Sequence, residues 1–242
     1  MQLHDFSVLT FDCYGTLIDW EAGFHAALRP LLATLPFELS RDQALEAFAR
    51  HETEQEKETP TMLYSDLLAA AHRRLAQEWG GTASEQDHAR FGRSVPDWPA
   101  FPDSAPSLRY LKRHHKLVIL SNVDRASFAG SHARLGVEFD AIYTAQDIGS
   151  YKPSRRNFDH MLAKLAEAGH ARRDILHTAQ SLFHDHAPAN ELGIASAWID
   201  RRHALDGWGA TPPADTAHYD FRFTSLADMV EAHRNEIERS RS

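Results

Sequence analysis

An α/β fold, built on a parallel sheet with a helical cap inserted into it, is predicted by three observations. Short β-branched or apolar runs recur with helical stretches between them, one of those runs is apolar at every position, and about a hundred residues separate the first two runs. Alternation of this kind argues for parallel strands joined by crossover helices. The run Leu117-Val118-Ile119-Leu120 reads as a strand covered on both faces. A single crossover needs only a dozen or so residues, so the long first connection must hold something more.

Taken in order, the expected strands are 7–11, 117–120, 141–144, 175–179, 194–199 and 219–223. The long connection reads as helices over 21–34, 41–56, 62–79 and 85–93. Ser40 or Asp42 is placed to cap the second of these and Gly80-Gly81 to end the third. Pro96, Pro99, Pro102 and Pro106 crowd the return to the sheet, a boundary signature. The expected organisation is therefore a core of residues 1–19 and 98–242 and a cap of residues 20–97. The acidic stretch 52–58 is expected to face solvent.

With 242 residues, 43% of them hydrophobic, the chain can bury a full core as one large domain or one domain with an insert. Twenty-six Lys plus Arg against 34 Asp plus Glu give a formal charge of −8 with no basic run, which argues against nucleic acid as a partner. The single cysteine, Cys13, allows no internal disulfide and no multi-cysteine zinc site, and fits a reducing compartment. No run approaches the ~18–20 apolar residues needed to span a bilayer, and the first residues lack a basic stretch followed by an apolar one. A soluble cytoplasmic protein without membrane partners is expected. The cap and the tail over 226–242 are the candidate surfaces for a homodimer.

In an open parallel sheet, ligands sit beyond the carboxyl ends of the strands. Four polar clusters fall there: Asp12-Cys13-Tyr14-Gly15-Thr16, Ser121-Asn122, Lys152-Pro153 and the stretch from Gln180 to Asp185. Each alone has an ordinary reading as turn or cap chemistry. Together, and in this order, they place a carboxylate, hydroxyl and amide donors, an ammonium and a second carboxylate in one crevice.

That ordered set resembles the four motifs of the haloacid dehalogenase superfamily of hydrolases: Leu9-Thr10-Phe11-Asp12-Cys13-Tyr14-Gly15-Thr16-Leu17, Leu120-Ser121-Asn122, Tyr151-Lys152-Pro153 and Gln180-Ser181-Leu182-Phe183-His184-Asp185. The resemblance implies a Rossmann-like core with a helical cap after the first motif. Most members are magnesium-dependent phosphatases with a second Asp two residues after the nucleophile and an Asp opening the fourth motif; here those places hold Tyr14 and Gln180. A phenol of pKa about 10 is a poor acid for a leaving alkoxide, and a neutral amide weakens a hard-cation site. The Asp-x-Tyr-Gly-Thr form is similar instead to the (S)-2-haloacid dehalogenase branch, which works without metal or other cofactor on small carboxylates.

Carried over by motif position, the resemblance makes Asp12 the nucleophile, Lys152 its ammonium partner and Asp185 the support of the hydrolytic step, while Thr16, Ser121 and Asn122 hold carboxylate oxygens. Backbone amides near Tyr14 and Gly15 are candidates to stabilise the oxyanion of that step. Arg50, on the second cap helix, would grip the substrate carboxylate as a cap arginine does in that branch. The chain departs from the dehalogenases in carrying Phe158 where they have Tyr, Gln180 and Leu182 where they have Ser and Asn, and His184 where they have Trp. The fuller runs 11–20 and 148–153 and His184-Asp185-His186 resemble more closely still the azetidine-2-carboxylate hydrolases, ring-opening relatives of the dehalogenases. That implies displacement of a ring nitrogen from C2 of the substrate, with Tyr14, Gln180 and His184 as candidates to meet the nitrogen. Carbon–halide hydrolysis, a divergent phosphatase and a binding protein without activity stay open as alternatives. Sixteen histidines occur without an HExxH-type pair or cysteine set, and scattered surface positions are expected for them rather than a metal site. Cys13, pointing away from Asp12 by strand alternation, is expected to be a packed thiol.

Overall fold

Six parallel strands form the sheet in this computed structural model, which describes residues 1–204 and 217–240. They are β1 (Val8–Phe11), β2 (Lys116–Ser121), β3 (Ala141–Thr144), β4 (Ile175–Ala179), β5 (Ala195–Ile199) and β6 (Phe221–Phe223), in the spatial order β3-β2-β1-β4-β5-β6. Positions 205–216 and 241–242, which belong to the region expected as core and tail, lie outside the described residues. β1 pairs in parallel with both β2 and β4, so the chain builds outward to β3 on one side and then crosses to build outward on the other. The place where the direction of winding reverses is where the carboxyl ends of β1 and β4 part to leave a crevice.

The four helices expected in the first connection are α1 (Trp20–Leu32), α2 (Arg41–Glu58), α3 (Tyr64–Trp79) and α4 (Glu85–Gly92). Ser40 rather than Asp42 caps α2, in a reciprocal box in which the Gln43 amide donates to Ser40 Oγ at 3.1 Å and the Ser40 amide donates to Gln43 Oε1 at 2.9 Å. Gly80 ends α3 with φ +65°, the left-handed conformation that suits a residue without Cβ. After a short 3₁₀ turn (Val95–Asp97) the chain returns through α5 (Ser104–Leu111) to β2. The remaining crossovers use α6 (Arg125–Leu135), α7 (Ala145–Ile148), α8 (Arg155–Glu167) and α9 (Ala187–Glu191), and α10 (Leu226–Ser240) follows β6. Among the described residues no helix is long and apolar enough to cross a membrane.

Strand alternation divides the core. Val8, Val118, Leu120 and Ile175 pack with Phe158 and Met161 of α8 on one face of the sheet. Leu9, Phe11, Leu117, Ile119 and Leu176 turn to the other face, and their cluster continues without a break into the inserted helices. An aromatic group joins the two parts: Phe24 meets Phe48 at 4.4 Å between ring centroids, Phe91 stands edge-on to Phe24 at 5.8 Å, and Trp20 lies 6.5 Å from Trp98. Cys13 is fully buried in this cluster, the packed thiol expected of it.

Gly23, on the face of α1 turned to Trp98, is what lets the helix approach. A Cβ there would stand 2.3 Å from Trp98 Cγ, far inside van der Waals contact with a ring that is itself 2% exposed. Gly23→Ala should therefore lose about 1–3 kcal/mol of stability, the usual cost of overpacking, despite its better helix propensity. Urea unfolding reads this directly, and an unchanged midpoint would show that Trp98 is free to yield.

Candidate active site

The four polar clusters meet at the carboxyl ends of β1, β2 and β4. Asp12 follows β1 directly and Ser121 ends β2. The loop after β1 is closed by the Leu17 amide on the Cys13 carbonyl and the Gly15 amide on the Ile18 carbonyl, both at 2.8 Å. The second bond commits the Gly15 amide, so the oxyanion role expected of it is not open. Gly15 sits at φ +93°, and a Cβ there would lie 3.1 Å from Trp20 Nε1 and 3.2 Å from Gln180 Oε1. Both conformation and space call for glycine.

At the centre is the Lys152 ammonium, 1% exposed. It donates to Asp12 Oδ1 at 2.9 Å, to Asp185 Oδ1 at 2.7 Å and to the Leu120 carbonyl at 3.0 Å, which uses its three protons. Burial works against its charge, but Asp12 and then Asp185 hold its pKa above the ordinary lysine value. For Asp12, burial raises the pKa, opposed by Lys152, reinforced by the Asp185 charge and opposed again by the Thr16 hydroxyl; the balance is above the ordinary value. Asp185 goes the other way. Burial alone would raise it, yet Lys152 and the His177 ring hold it well below the usual carboxylate range. Two carboxylates thus share one ammonium and are held unequally.

The neighbours of these groups position them. Thr16 Oγ1 donates to Asp12 Oδ2 at 2.7 Å and accepts from the Gln180 amide at 2.9 Å, tying the first motif to the fourth. Asn122 brackets the loop that bears the lysine: its Oδ1 accepts from the Lys152 amide at 2.6 Å and its Nδ2 donates to the Lys152 carbonyl at 3.0 Å. Ser121 Oγ is buried without a hydrogen-bond partner. The fourth motif forms a single π-helical turn, Leu182–His186, opened by Ser181, whose Oγ accepts from the His184 amide at 2.9 Å. Turns of this kind cluster at functional sites because they re-aim side chains. The turn aims Asp185 back at Lys152, and His186 away, onto Ser196 Oγ and the Ala179 carbonyl at 3.0 Å each.

A cavity of about 70 Å³ opens beside this cluster, lined by Asp12, Tyr14, Trp20, Asn122, Lys152, Gln180, Ser181, His184 and Asp185, with Glu52, Glu56, Tyr64, Trp98 and Val123 closing it. One water needs roughly 10–15 Å³ by this measure, so the space suits a molecule of few heavy atoms. Tyr14 contributes its ring, its hydroxyl being held by Ser131 Oγ at 2.8 Å. Gln180 lines the cavity, and its main-chain carbonyl accepts from Trp198 Nε1 at 2.9 Å. His184 Nδ1 meets Ser181 Oγ at 3.2 Å and its Nε2 is buried without a partner. Burial, opposed by Asp185 and aided by Lys152, pulls its pKa down to about 4, so the ring is neutral at neutral pH. A larger cleft of about 690 Å³ lies elsewhere, by α1 and α4, and includes none of the strand-end polar residues.

Three expectations are corrected. Arg50 does not reach the cavity: it stands on the exposed side of α2 with its guanidinium on both Glu78 carboxylate oxygens at 2.8 Å. The stretch 52–58 is not uniformly solvent-facing, since Glu52 and Glu56 line the cavity and Glu56 is 9% exposed, whereas Glu54 and Glu58 turn out to Arg74. The helical period explains both: Glu52 and Glu56 continue the inward stripe of Leu45 and Phe48, and Arg50 lies off it. The histidines are not mainly at the surface, for His51, His72, His88, His115, His177, His186 and His233 are buried. Of these His177 belongs to the site and has no place in the four motifs. It sits in β4 opposite Thr10, whose Oγ1 lies 2.8 Å from Nδ1, while Nε2 lies 2.9 Å from Asp185 Oδ1. The consistent tautomer has the Thr10 hydroxyl donating to Nδ1 and Nε2–H donating to the carboxylate, which fixes Asp185 through the sheet itself. A histidine set among the apolar residues of the run Ile175-Leu176-His177-Thr178-Ala179 is the available signal. Phe158 packs edge-on against that ring at 5.3 Å.

The donor set does not suit a divalent cation. Gln180 is a neutral amide, the Lys152 ammonium stands between the two carboxylates, and among the described residues no group of three or more His, Cys, Asp or Glu converges to hold a metal.

The haloacid dehalogenase-like hydrolase profile matches residues 6–175. The chain belongs to that family. Among solved structures it is similar to an L-2-haloacid dehalogenase at 20% identity and TM-score 0.77, covering 93% of this chain and 98% of that one. A defluorinating L-2-haloacid dehalogenase gives 19% identity and TM-score 0.77, with 95% of each chain covered. The L-2-haloacid dehalogenase from Xanthobacter autotrophicus with chloropropionic acid covalently bound gives 19% and 0.76, covering 95% of this chain and 98% of that one. No curated protein matches the chain.

Two outcomes follow from this geometry. Lys152→Met leaves two buried carboxylates facing each other without a cation and should cost about 3–5 kcal/mol in urea unfolding; an unchanged midpoint would mean that the pair already shares a proton. Burial, opposed by the Tyr64 hydroxyl, pushes the Glu52 carboxyl from 4.5 up to about 7. The folded chain then keeps a proton that the unfolded chain releases, so this contribution to stability is complete below pH 4.5 and lost as pH rises through about 7. The stability of the wild type relative to Glu52→Gln should fall between about pH 5 and about pH 8, and a constant difference would contradict the assignment.

Proposed function

We propose that this hydrolase opens azetidine-2-carboxylate to 4-amino-2-hydroxybutyrate, without metal, through an ester on Asp12. The observation that carries this reading is the charge of the cavity. Its one cationic side chain among the described residues is Lys152, already committed to Asp12 and Asp185, while the Glu52 and Glu56 carboxyls, both raised in pKa by burial for want of a cation of their own, would ionise only against a positive group brought by the substrate. A haloacid brings a carboxylate and releases a second anion, and this lining offers the departing halide no positive group. A protonated ring amine brings its own positive charge.

In the first step an Asp12 oxygen attacks C2, the C2–N bond breaks and its electron pair stays on nitrogen, which leaves as a neutral amine because it entered as an ammonium. Strain in the four-membered ring lowers the barrier. Lys152 favours the ionised nucleophile and Thr16 fixes its orientation. In the second step water attacks the ester carbonyl of Asp12. Asp185 Oδ1 is engaged by Lys152 and His177, so Oδ2 is the oxygen that orients the water and accepts its proton, which passes to the released amine. The ester breaks at the Asp12 carbonyl, the carboxylate is regenerated, and the product carries hydroxyl at C2 with inverted configuration.

A second reading, hydrolysis of 2-halocarboxylates, is favoured by the shared fold with L-2-haloacid dehalogenases. It uses the same nucleophile. Separate incubations with azetidine-2-carboxylate and 2-chloropropionate distinguish the two: amino-hydroxybutyrate from the first is expected, and chloride release with no amine product would favour the second. Asp12→Asn should lower kcat by several orders of magnitude on whichever substrate is turned over.

A further inference from the structure

We infer that Glu52 and Glu56 of the cap form the seat for the cationic nitrogen of the substrate and so decide which leaving group the enzyme accepts. This rests on the ring-opening reading and adds to it the residues that select an ammonium.

The two carboxyls stand one helical turn apart on the inward stripe of α2, and both line the cavity that Asp12, Lys152 and Asp185 line from the sheet. Their partners are neutral. Glu52 Oε1 accepts from the Tyr64 hydroxyl at 2.6 Å, and Glu56 Oε1 from Asn122 Nδ2 at 3.4 Å. The acids on the outer face of the same helix differ, for Glu54 and Glu58 both pair with Arg74. Asn122 also ties Glu56 to the loop that bears Lys152, so the cap acids are registered against the catalytic lysine.

A further acceptor faces the same space, open to the substrate nitrogen in the first step before it takes up the hydrolytic water in the second. Asp185, 1% exposed and lining the same cavity, keeps Oδ2 without any hydrogen-bond partner, although burying an unpaired acceptor is costly. Four carboxyl groups thus surround a space served by one ammonium whose protons are all in use. A small cation with two N–H donors answers that deficit, and a protonated azetidine nitrogen carries two. Buried in this way, a charge-assisted hydrogen bond is among the stronger ones available.

Calorimetry on folded Asp12→Asn protein tests the seat directly, with L-azetidine-2-carboxylate as one probe and cyclobutanecarboxylate, which has the same ring without nitrogen, as the other. Adding Glu56→Gln or Glu52→Gln should reduce the preference for the nitrogen-containing ring by about tenfold or more. A preference that stays the same in both folded variants overturns the inference. The companion assay uses enzyme with Asp12 intact. If the wild type yields amino-hydroxybutyrate and Glu56→Gln and Glu52→Gln leave KM for azetidine-2-carboxylate unchanged, the seat is wrong and the ring-opening reading stands. A KM raised by about tenfold or more in either variant supports the seat. If the wild type yields no amine product, the reading fails and the inference with it.

Discussion

The site depends on one ammonium shared by two carboxylates. Lys152 holds Asp12 and Asp185 within 2.9 Å and 2.7 Å in a nearly solvent-free setting, and it does so from a loop that Asn122 clamps at both its amide and its carbonyl. Taking charges out of water is costly, so these buried ion pairs count for more in what they orient than as a source of net stability. The ammonium orients both carboxylates and leaves Oδ2 of Asp185 open, and the sheet supplies the rigidity: Asp12 continues β1, Ser121 ends β2, and His177 in β4 fixes Asp185 from behind.

The cap completes the site and sets its character. An aromatic group shared between α1, α2, α4 and Trp98 fixes α2 against the core, and the same face of α2 that supplies Leu45 and Phe48 to that packing supplies Glu52 and Glu56 to the cavity. Packing and the acidic lining of the cavity are thus two stretches of one helical stripe. On the proposed reading the leaving group can change without a change of nucleophile, because the cap and the motif-four turn, rather than the strand ends, would meet the leaving atom.

The fold and the floor of the site were legible in the residues because they obey short-range rules. Strands at 141–144 and 175–179 match β3 and β4 at both ends, and polar residues directly after apolar runs must lie at strand ends whatever the details of packing. The cap was not legible at the level of single side chains. Which face of α2 turns inward depends on Phe48 meeting Phe24, a tertiary contact between two helices that no short-range rule fixes, and so Arg50 was expected where Glu52 and Glu56 stand. His177 escaped for a related reason, since its partners Thr10 and Asp185 come together only once β1 and β4 pair.

The central claim is the transient ester on Asp12, and incorporation of heavy oxygen tests it most directly. In a single turnover with enzyme in excess, in heavy-oxygen water, the peptide containing Asp12 should take up label in its carboxylate while the hydroxyl of the product stays unlabelled, because the oxygen delivered to C2 comes from the protein. Label in the product hydroxyl with none in the peptide would mean that water attacks C2 directly, and the account of this site would be contradicted.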